Sequence, residues 1–406
     1  MIKRETYYIF FPFVVLYFFL NNFLLPQGLL YTSILSPVFL YWLYKKHRFS
    51  RLLKWGVLLL IPIPFHLLTG IDMKSYIIST LMVFAVWIFL FTGLKAVEEM
   101  NESLEEMFPR IMIINAVMIF IALLLLPFKG LSEFMWDYTP ISPGVQEFPR
   151  LMLLAYEPSH YALLLSPVFI YFILKILSGK STHPLVSSLG IAIPLILSLS
   201  FGVIGAIFLA VIAAGLIYYK KLPASSGSFL FNLLILFVIV LVVISFIWPS
   251  NPVFERIENI FAGDDTSAKG RLTHSFMFAF DLVNKYNVWM GVGPGQVKIL
   301  AHDFIVDFYN YYGVDAKTVR IPNAMGEILA VYGFYGFLLK LFFEIYYFVR
   351  MKIYNNLFSL SLFIFVFIYQ FTGSFLTNVA EIGIWALVFG SRISTFEYDR
   401  LKRSSG

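Results

Sequence analysis

The sequence contains no cysteine. Disulfides, thiolate metal sites and cysteine nucleophiles are thereby excluded. Charge is scarce as well: Asp, Glu, Lys and Arg make up 13% of 406 residues, against about a quarter in soluble domains. The six histidines have no metal-ligand spacing, and Asp264-Asp265 is adjacent rather than spaced for coordination. No metal site and no cofactor are expected. No Ser-His-Asp arrangement can be read from spacing, and no internal repeat is visible. The first apolar run is not followed by a small-residue cleavage site, so it reads as a retained span rather than a signal peptide.

What fills the chain is apolar. Hydrophobic residues reach 59% and aromatic residues 19%, with a mean hydropathy of +0.80. Long apolar runs bounded by charge recur from end to end, each able to cross about 30 Å of hydrocarbon as a helix. The expected fold class is an all-α polytopic membrane protein with about 12 transmembrane helices, forming one integral-membrane domain over 1–406. The spans are placed at 7–24, 28–44, 55–69, 75–94, 110–128, 151–177, 185–200, 202–219, 229–248, 325–349, 356–372 and 375–394. The seventh and eighth are separated only by a turn around Gly202.

Lys and Arg in short loops set the orientation. With the N-terminus cytoplasmic, the basic groups at 3–4, 45–54, 95, 110, 175–180, 220–221, 350–352 and 392–403 all fall on one side. The short loops of the other side receive Lys74, Lys129 and Arg150. Both termini are then cytoplasmic. Two stretches lie outside: a loop at 129–150, and a long segment at 249–324 carrying short helices. Within the latter, 271–287 has helical periodicity, with Leu272, Phe276, Ala279, Phe280 and Val283 on one face and Arg271, His274 and Lys285 off it. The acidic cytoplasmic stretch 95–110 reads as a short solvated helix.

The polar residues that could carry chemistry gather on the outer side. In Tyr156-Glu157-Pro158-Ser159-His160-Tyr161, proline turns Glu157 away from helical geometry and itself suits a first helical position. A helix therefore starts at Pro158 with Glu157 at its cap, and residues 150–156 are interfacial or re-entrant. The helix N-terminus favours anions. A carboxylate and an imidazole at membrane depth are costly and are usually functional or paired. The competing reading has Glu157 only capping the helix or pairing with Arg150, His160 bonding a neighbour, and Tyr156 serving the interfacial aromatic belt. A second cluster is Gly270-Arg271 with His274 one turn on; arginine suits phosphate because it stays charged and donates in pairs. Gly291-Val292-Gly293-Pro294-Gly295 follows Trp289 and reads as a tight turn, not a nucleotide fingerprint, since no strand precedes it. Last come Arg320, Asn323, Glu327 one turn later, and Gly333 with Gly336, small residues that permit close helix packing.

Taken together, Gly270-Arg271, Trp289, the 291–295 glycine run, Asn323, Glu327 and Gly333-Phe334-Tyr335-Gly336 resemble the O-antigen polymerase and O-antigen ligase superfamily. The Glu157-Pro158-Ser159 cluster resembles the Wzy-type polymerases within it. The motifs cover roughly 150–345. The resemblance implies a metal-independent membrane glycosyltransferase of the bacterial inner membrane, with its active site on the periplasmic face. Such an enzyme moves a growing glycan from undecaprenyl pyrophosphate onto an incoming lipid-linked repeat. The implied partners are those two lipid-linked glycans, the bilayer and a chain-length-regulating co-polymerase; no nucleic acid is expected. In the ligases a histidine commonly precedes the asparagine matching Asn323. Pro322 stands there instead, which favours the polymerase over a ligase acting on lipid A core. A transporter of the same lipid-linked repeat is the reading from another class, and the missing repeat speaks against it. On this reading Glu157 is the first choice of base, with His160 and His274 in reserve. Arg150, Arg271, Arg320, Asn323 and Tyr156 hold pyrophosphate or glycan.

Overall fold

The computed structural model describes residues 10–25, 29–139, 149–220, 258–259, 262–263, 265–309 and 320–398. Its helices are α1 (Phe10–Leu20), α2 (Ser36–Lys45), α3 (Phe49–Leu67, broken at Ile61-Pro62), α4 (Met73–Met100), α5 (Leu104–Leu125), α6 (Pro158–Leu177), α7 (Pro184–Ser198) and α8 (Phe201–Tyr218). After these come α9 (Ser275–Lys285), α10 (His302–Tyr309), α11 (Ala324–Arg350), α12 (Leu357–Thr372) and α13 (Val379–Gly390). Every expected apolar run that falls on described residues holds a helix. The run at 229–248 lies outside them, as do Asp264, residues 140–148 of the shorter loop and 310–319 of the longer one. Five helical segments are long and apolar enough to cross a membrane: α3, the continuous α4–α5 segment, α6, α8 and α11. The chain is thus a largely helical membrane protein.

Helix α6 is the axis of the bundle. It is apolar on all faces, and a helix of that kind buries all of them. Tyr161, Leu165, Phe169 and Tyr171 are all sealed from solvent. Around it pack α1, α5, α7, α8, α12 and α13. Its C-terminal half closes on an aromatic group: Tyr171 lies 4.9 Å from Phe108 and 5.8 Å from Phe396, centroid to centroid.

The loops sort cleanly to the two ends. At one end Lys46 reaches Glu99 at 2.8 Å and Arg48 reaches Glu98 at 3.4 Å. Lys180 donates to Thr395 O, Tyr218 to Tyr354 O, and Thr395 to Glu105. These are the basic loops that the charge rule had put together. The acidic stretch 95–110 is not the solvated helix expected. It continues α4 into α5, and its carboxylates take up the neighbouring lysines and arginines.

Four expectations need correction. The acidic stretch just described is the first; the helical expectation itself holds, with Trp136–Asp137 and Arg150–Leu151 adding a two-residue antiparallel ladder, β1 and β2. The turn between α7 and α8 falls at Leu199, which takes left-handed φ of 48°, and Gly202 is inside α8. On α9 the buried face is Ser275, Phe278, Ala279, Leu282 and Val283, while Leu272 and Phe280 are 53% and 41% exposed. A wide π turn over Gly270–His274 shifts the register, and α9 packs on α11 with the shifted face.

The fourth correction concerns the glycines. Gly333 is not a helix-packing residue but a break in α11, at φ 62° and ψ −161°. The 288–293 loop fills the break with main chain. Val292 and Gly293 donate to the carbonyls of Ala330 and Val331, each at 2.9 Å; Phe334 and Tyr335 donate to those of Val288 and Trp289, at 3.1 and 2.9 Å. Gly291 sits in the left-handed region, φ 72°, and an added Cβ would lie 2.5 Å from the Val331 carbonyl carbon. Beyond the break the loop meets the first bundle: His66 Nε2 lies 2.7 Å from Met290 O, and Gln296 exchanges hydrogen bonds with the Asp72 backbone.

Gly291→Ala is accordingly expected to lower the thermal midpoint of the purified protein sharply. Left-handed strain alone costs about 1–2 kcal/mol, before the collision with α11. Gly130→Ala, where nothing lies within 4 Å of the new Cβ, is the matched control and leaves the midpoint unchanged.

Candidate functional site

The site is built at the end of the bundle opposite the ion-paired loops, around the start of α6. Glu157 is the N-cap of α6 in extended conformation, φ −157° and ψ 156°, but its side chain bonds none of the first-turn amides. Its Oε1 accepts from Ser159 Oγ at 2.6 Å instead. Among the described residues Glu157 forms no ion pair. Both bland readings of Glu157, cap and partner of Arg150, therefore fail. Arg150 is held by Asp137 in an ion pair across the β1–β2 ladder and reaches Thr139 at 3.2 Å. That contact fixes the 149–157 approach to α6 and leaves Arg150 committed to structure.

The expected helix start carries His160 into the core. The imidazole is 2% exposed and stacks on Tyr156, centroids 4.4 Å apart. Both ring nitrogens are buried with no hydrogen-bond partner among the described residues. His274 goes elsewhere: it stacks on Phe308 at 4.1 Å, and its Nδ1 lies 3.1 Å from Thr273 Oγ1.

Arg271 and Arg320 arrive from different segments. Arg271 is in the π turn before α9, and Arg320 is just ahead of α11 with its guanidinium 4.8 Å from the centre of the Phe375 ring. Both lie within electrostatic range of the Tyr156 hydroxyl, with Glu157 and Tyr369 beside them. Among the described residues neither arginine forms an ion pair. Two arginines outside any ion pair among the described residues, a helix N-terminus without a side-chain cap and a carboxylate are the kinds of group suited to holding a multiply charged anion next to a group that can take a proton.

Asn323 is the tie. It is fully buried and caps α11 by accepting from Gly326 N at 2.8 Å. Its Nδ2 donates to Arg271 O at 2.7 Å and to Phe371 O. Expected as a substrate ligand, it has its amide fully engaged with the chain. Glu327, one turn on, accepts from Leu376 N at 2.6 Å. Sequence reading missed Tyr369 and the buried group Lys340, Glu344, Gln370 and Glu381. The last four lie on α11, α12 and α13, with Lys340 Nζ 2.7 Å from Glu381 Oε1 and Gln370 Nε2 2.8 Å from Glu344 Oε2. Their signal was present as charges inside apolar runs. Among the described residues no cluster of histidines and carboxylates is arranged to hold a metal ion.

Residues 186–341 match the Wzy_C family model, described as O-antigen ligase. The matched stretch takes in α7, α8, α9 and most of α11, and with them Arg271, His274, Arg320, Asn323 and Glu327. It stops short of the 150–160 cluster on one side and of 369–381 on the other. No curated protein matches the chain. The match supports the O-antigen ligase and polymerase superfamily, and with it a membrane role in glycan assembly.

Removing the tie has a defined cost. Asn323→Ala loses a cap, worth about 1 kcal/mol, and leaves two carbonyls unpaired, so its thermal midpoint should fall. Asn323→Asp keeps the cap but turns a carboxylate oxygen onto the carbonyls of Arg271 and Phe371. It should fall at least as far, and a variant as stable as wild type would remove the tie from the account.

Proposed function

We propose that the protein is a Wzy-type polymerase, a glycosyltransferase that joins undecaprenyl-pyrophosphate-linked oligosaccharide repeats into O-antigen or a related surface polysaccharide. The proposal places it in the bacterial inner membrane with twelve crossings, both termini cytoplasmic and the site on the periplasmic face. The observation that carries it is the Asn323 bridge, which ties the Arg271 segment to the start of α11, three residues after Arg320, together with Glu157 at the start of α6, where no side chain caps the helix.

The chemistry sets the roles. The donor leaves as a pyrophosphate, so charge developing on its bridging oxygen must be neutralised where it forms. Arg271, Arg320 and the first-turn amides of α6 do this. The acceptor is a sugar hydroxyl, which needs its proton removed as it attacks the anomeric carbon. Glu157 takes that proton while the new C–O bond forms and the bond to the pyrophosphate oxygen breaks. His160 is one turn away but sealed, and serves to hold Tyr156 by stacking. His274 is turned to Phe308 and takes no part. The lipid tail enters the apolar cavity of about 400 Å³ between α3, α4, α11 and α13. Ile328, Tyr332 and Leu376 line its end next to Glu327.

A ligase that transfers finished polymer to lipid A core is the second reading, and the match to an O-antigen ligase family favours it. Pro322, in the position where the ligases commonly carry histidine, favours the polymerase.

The test is glycan chain length in a strain lacking the gene, with Arg271→Ala, Arg320→Ala or Glu157→Ala protein restored at equal membrane level. Single repeats on the lipid A core with no ladder are expected, with each variant losing about 100-fold or more of polymer, the scale of removing one transition-state contact. Long polymer accumulating on undecaprenyl pyrophosphate would mean a ligase. An unchanged ladder in all three variants would overturn the site.

A further inference from the structure

The turn between α12 and α13, residues 373–378, touches every part of the proposed site on the α11 side. Gly373 O accepts from Ala324 N at 3.0 Å, next to Asn323. Phe375 lies under the Arg320 guanidinium. Leu376 N donates to Glu327. Phe371 and Thr372, the last two residues of α12, lead into the turn, and Phe371 O is held by Asn323. The turn contains Ser374 at φ 67°, a left-handed conformation that a residue with a Cβ adopts only when its surroundings impose it.

What imposes it is below the turn. Ser374 Oγ donates to Glu381 Oε2 at 2.6 Å. The other oxygen of the same carboxylate takes Lys340 Nζ at 2.7 Å and Trp385 Nε1 at 3.2 Å. Glu381 is 2% exposed and sits in the first turn of α13. Lys340 comes from α11, beyond the Gly333 break. Such a pair, buried among apolar helices, is expensive to form and rigid once formed. Among the described residues its hydrogen bond to the 373–378 turn is the one from Ser374.

We infer that Glu381, clamped by Lys340, is a positioning residue: through Ser374 it sets the 373–378 turn, and so fixes the Arg320 guanidinium over Phe375 where a pyrophosphate is to be bound. The inference rests on the functional reading above and adds to it Ser374 and Glu381, which lie outside the family match. It gives a role to a lysine in the middle of α11 and a glutamate in the first turn of α13, neither of which those apolar helices need in order to form. A displacement of about 1 Å at a reacting geometry can cost about 100-fold in rate, so a strained turn requires an anchor of this kind.

The experiment uses purified full-length protein in lipid nanodiscs, with inorganic pyrophosphate as the probe, and reads both its dissociation constant and the thermal midpoint. Ser374→Gly keeps the left-handed backbone and removes only the hydroxyl anchor. Lys340→Met/Glu344→Gln/Glu381→Leu removes the lysine together with both carboxylates it contacts, at 3.6 and 2.7 Å, which avoids stranding a buried charge. Each is expected to weaken pyrophosphate binding about ten-fold, with the Ser374→Gly midpoint within a degree or two of wild type. In an Arg320→Ala background the Ser374→Gly loss should disappear, because the anchor acts through that arginine. Equal losses with and without Arg320, or a fallen midpoint with unchanged binding, would make Glu381 merely structural and overturn the inference while leaving the functional reading intact. Unchanged binding in Arg320→Ala itself would bring down the functional reading, and the inference with it.

Discussion

One buried amide holds the site together. Asn323 starts α11 by capping it, and with its two N–H groups it takes the Arg271 carbonyl ahead of α9 and the Phe371 carbonyl at the end of α12. Three chain segments that are distant in sequence meet there. In hydrocarbon an open backbone carbonyl costs several kcal/mol, so each of these segment ends must find a donor. A side-chain amide is the group that offers one acceptor and two donors at a single point. Replace it, and the loop carrying one arginine, the helix carrying Glu327 and the turn under the other arginine lose their common fixed point. The functional groups are therefore placed by a residue that does no chemistry.

The electrostatics follow from the same economy. Arg150, which sequence reading placed beside the arginines of the site, is matched by Asp137 within a two-residue ladder. Lys340 is matched by Glu381 deep between helices. Arg271 and Arg320 have no such carboxylate among the described residues. Positive charge left without a partner at the mouth of an apolar bundle is a standing attraction for anions. Glu157, among the described residues, accepts from Ser159 and enters no ion pair. The balance between paired and unpaired charge distinguishes scaffold from site more sharply than residue type does.

Much of this was legible in the chain. Apolar runs gave the helices, because periodicity and length are local properties. Pro158 gave the start of α6 to the residue, since proline restricts both itself and Glu157. The charge rule grouped the loops that the structure brings to one end. The failures have physical causes. The α9 face was misjudged because a π turn adds a residue to the cycle and rotates everything after it. The glycine run and Gly333 were assigned separate local roles, although they are two halves of one main-chain joint; hydrogen bonds between distant backbones leave no trace in side-chain pattern. Lys340, Glu344 and Glu381 were legible and passed over: an apolar run tolerates a few charges in a hydropathy average, and the average conceals that each must be neutralised somewhere.

The joint at Gly333 has a consequence for how the molecule is made. The break divides α11 into two rods, and each new end exposes polar groups: carbonyls of Ala330 and Val331 on one, amides of Phe334 and Tyr335 on the other. Unmet, these would bar the segment from the bilayer. The strand of backbone that meets them, 288–293, precedes the break at Gly333 by about forty residues and so leaves the ribosome first. The fracture is delivered to the membrane after its splint.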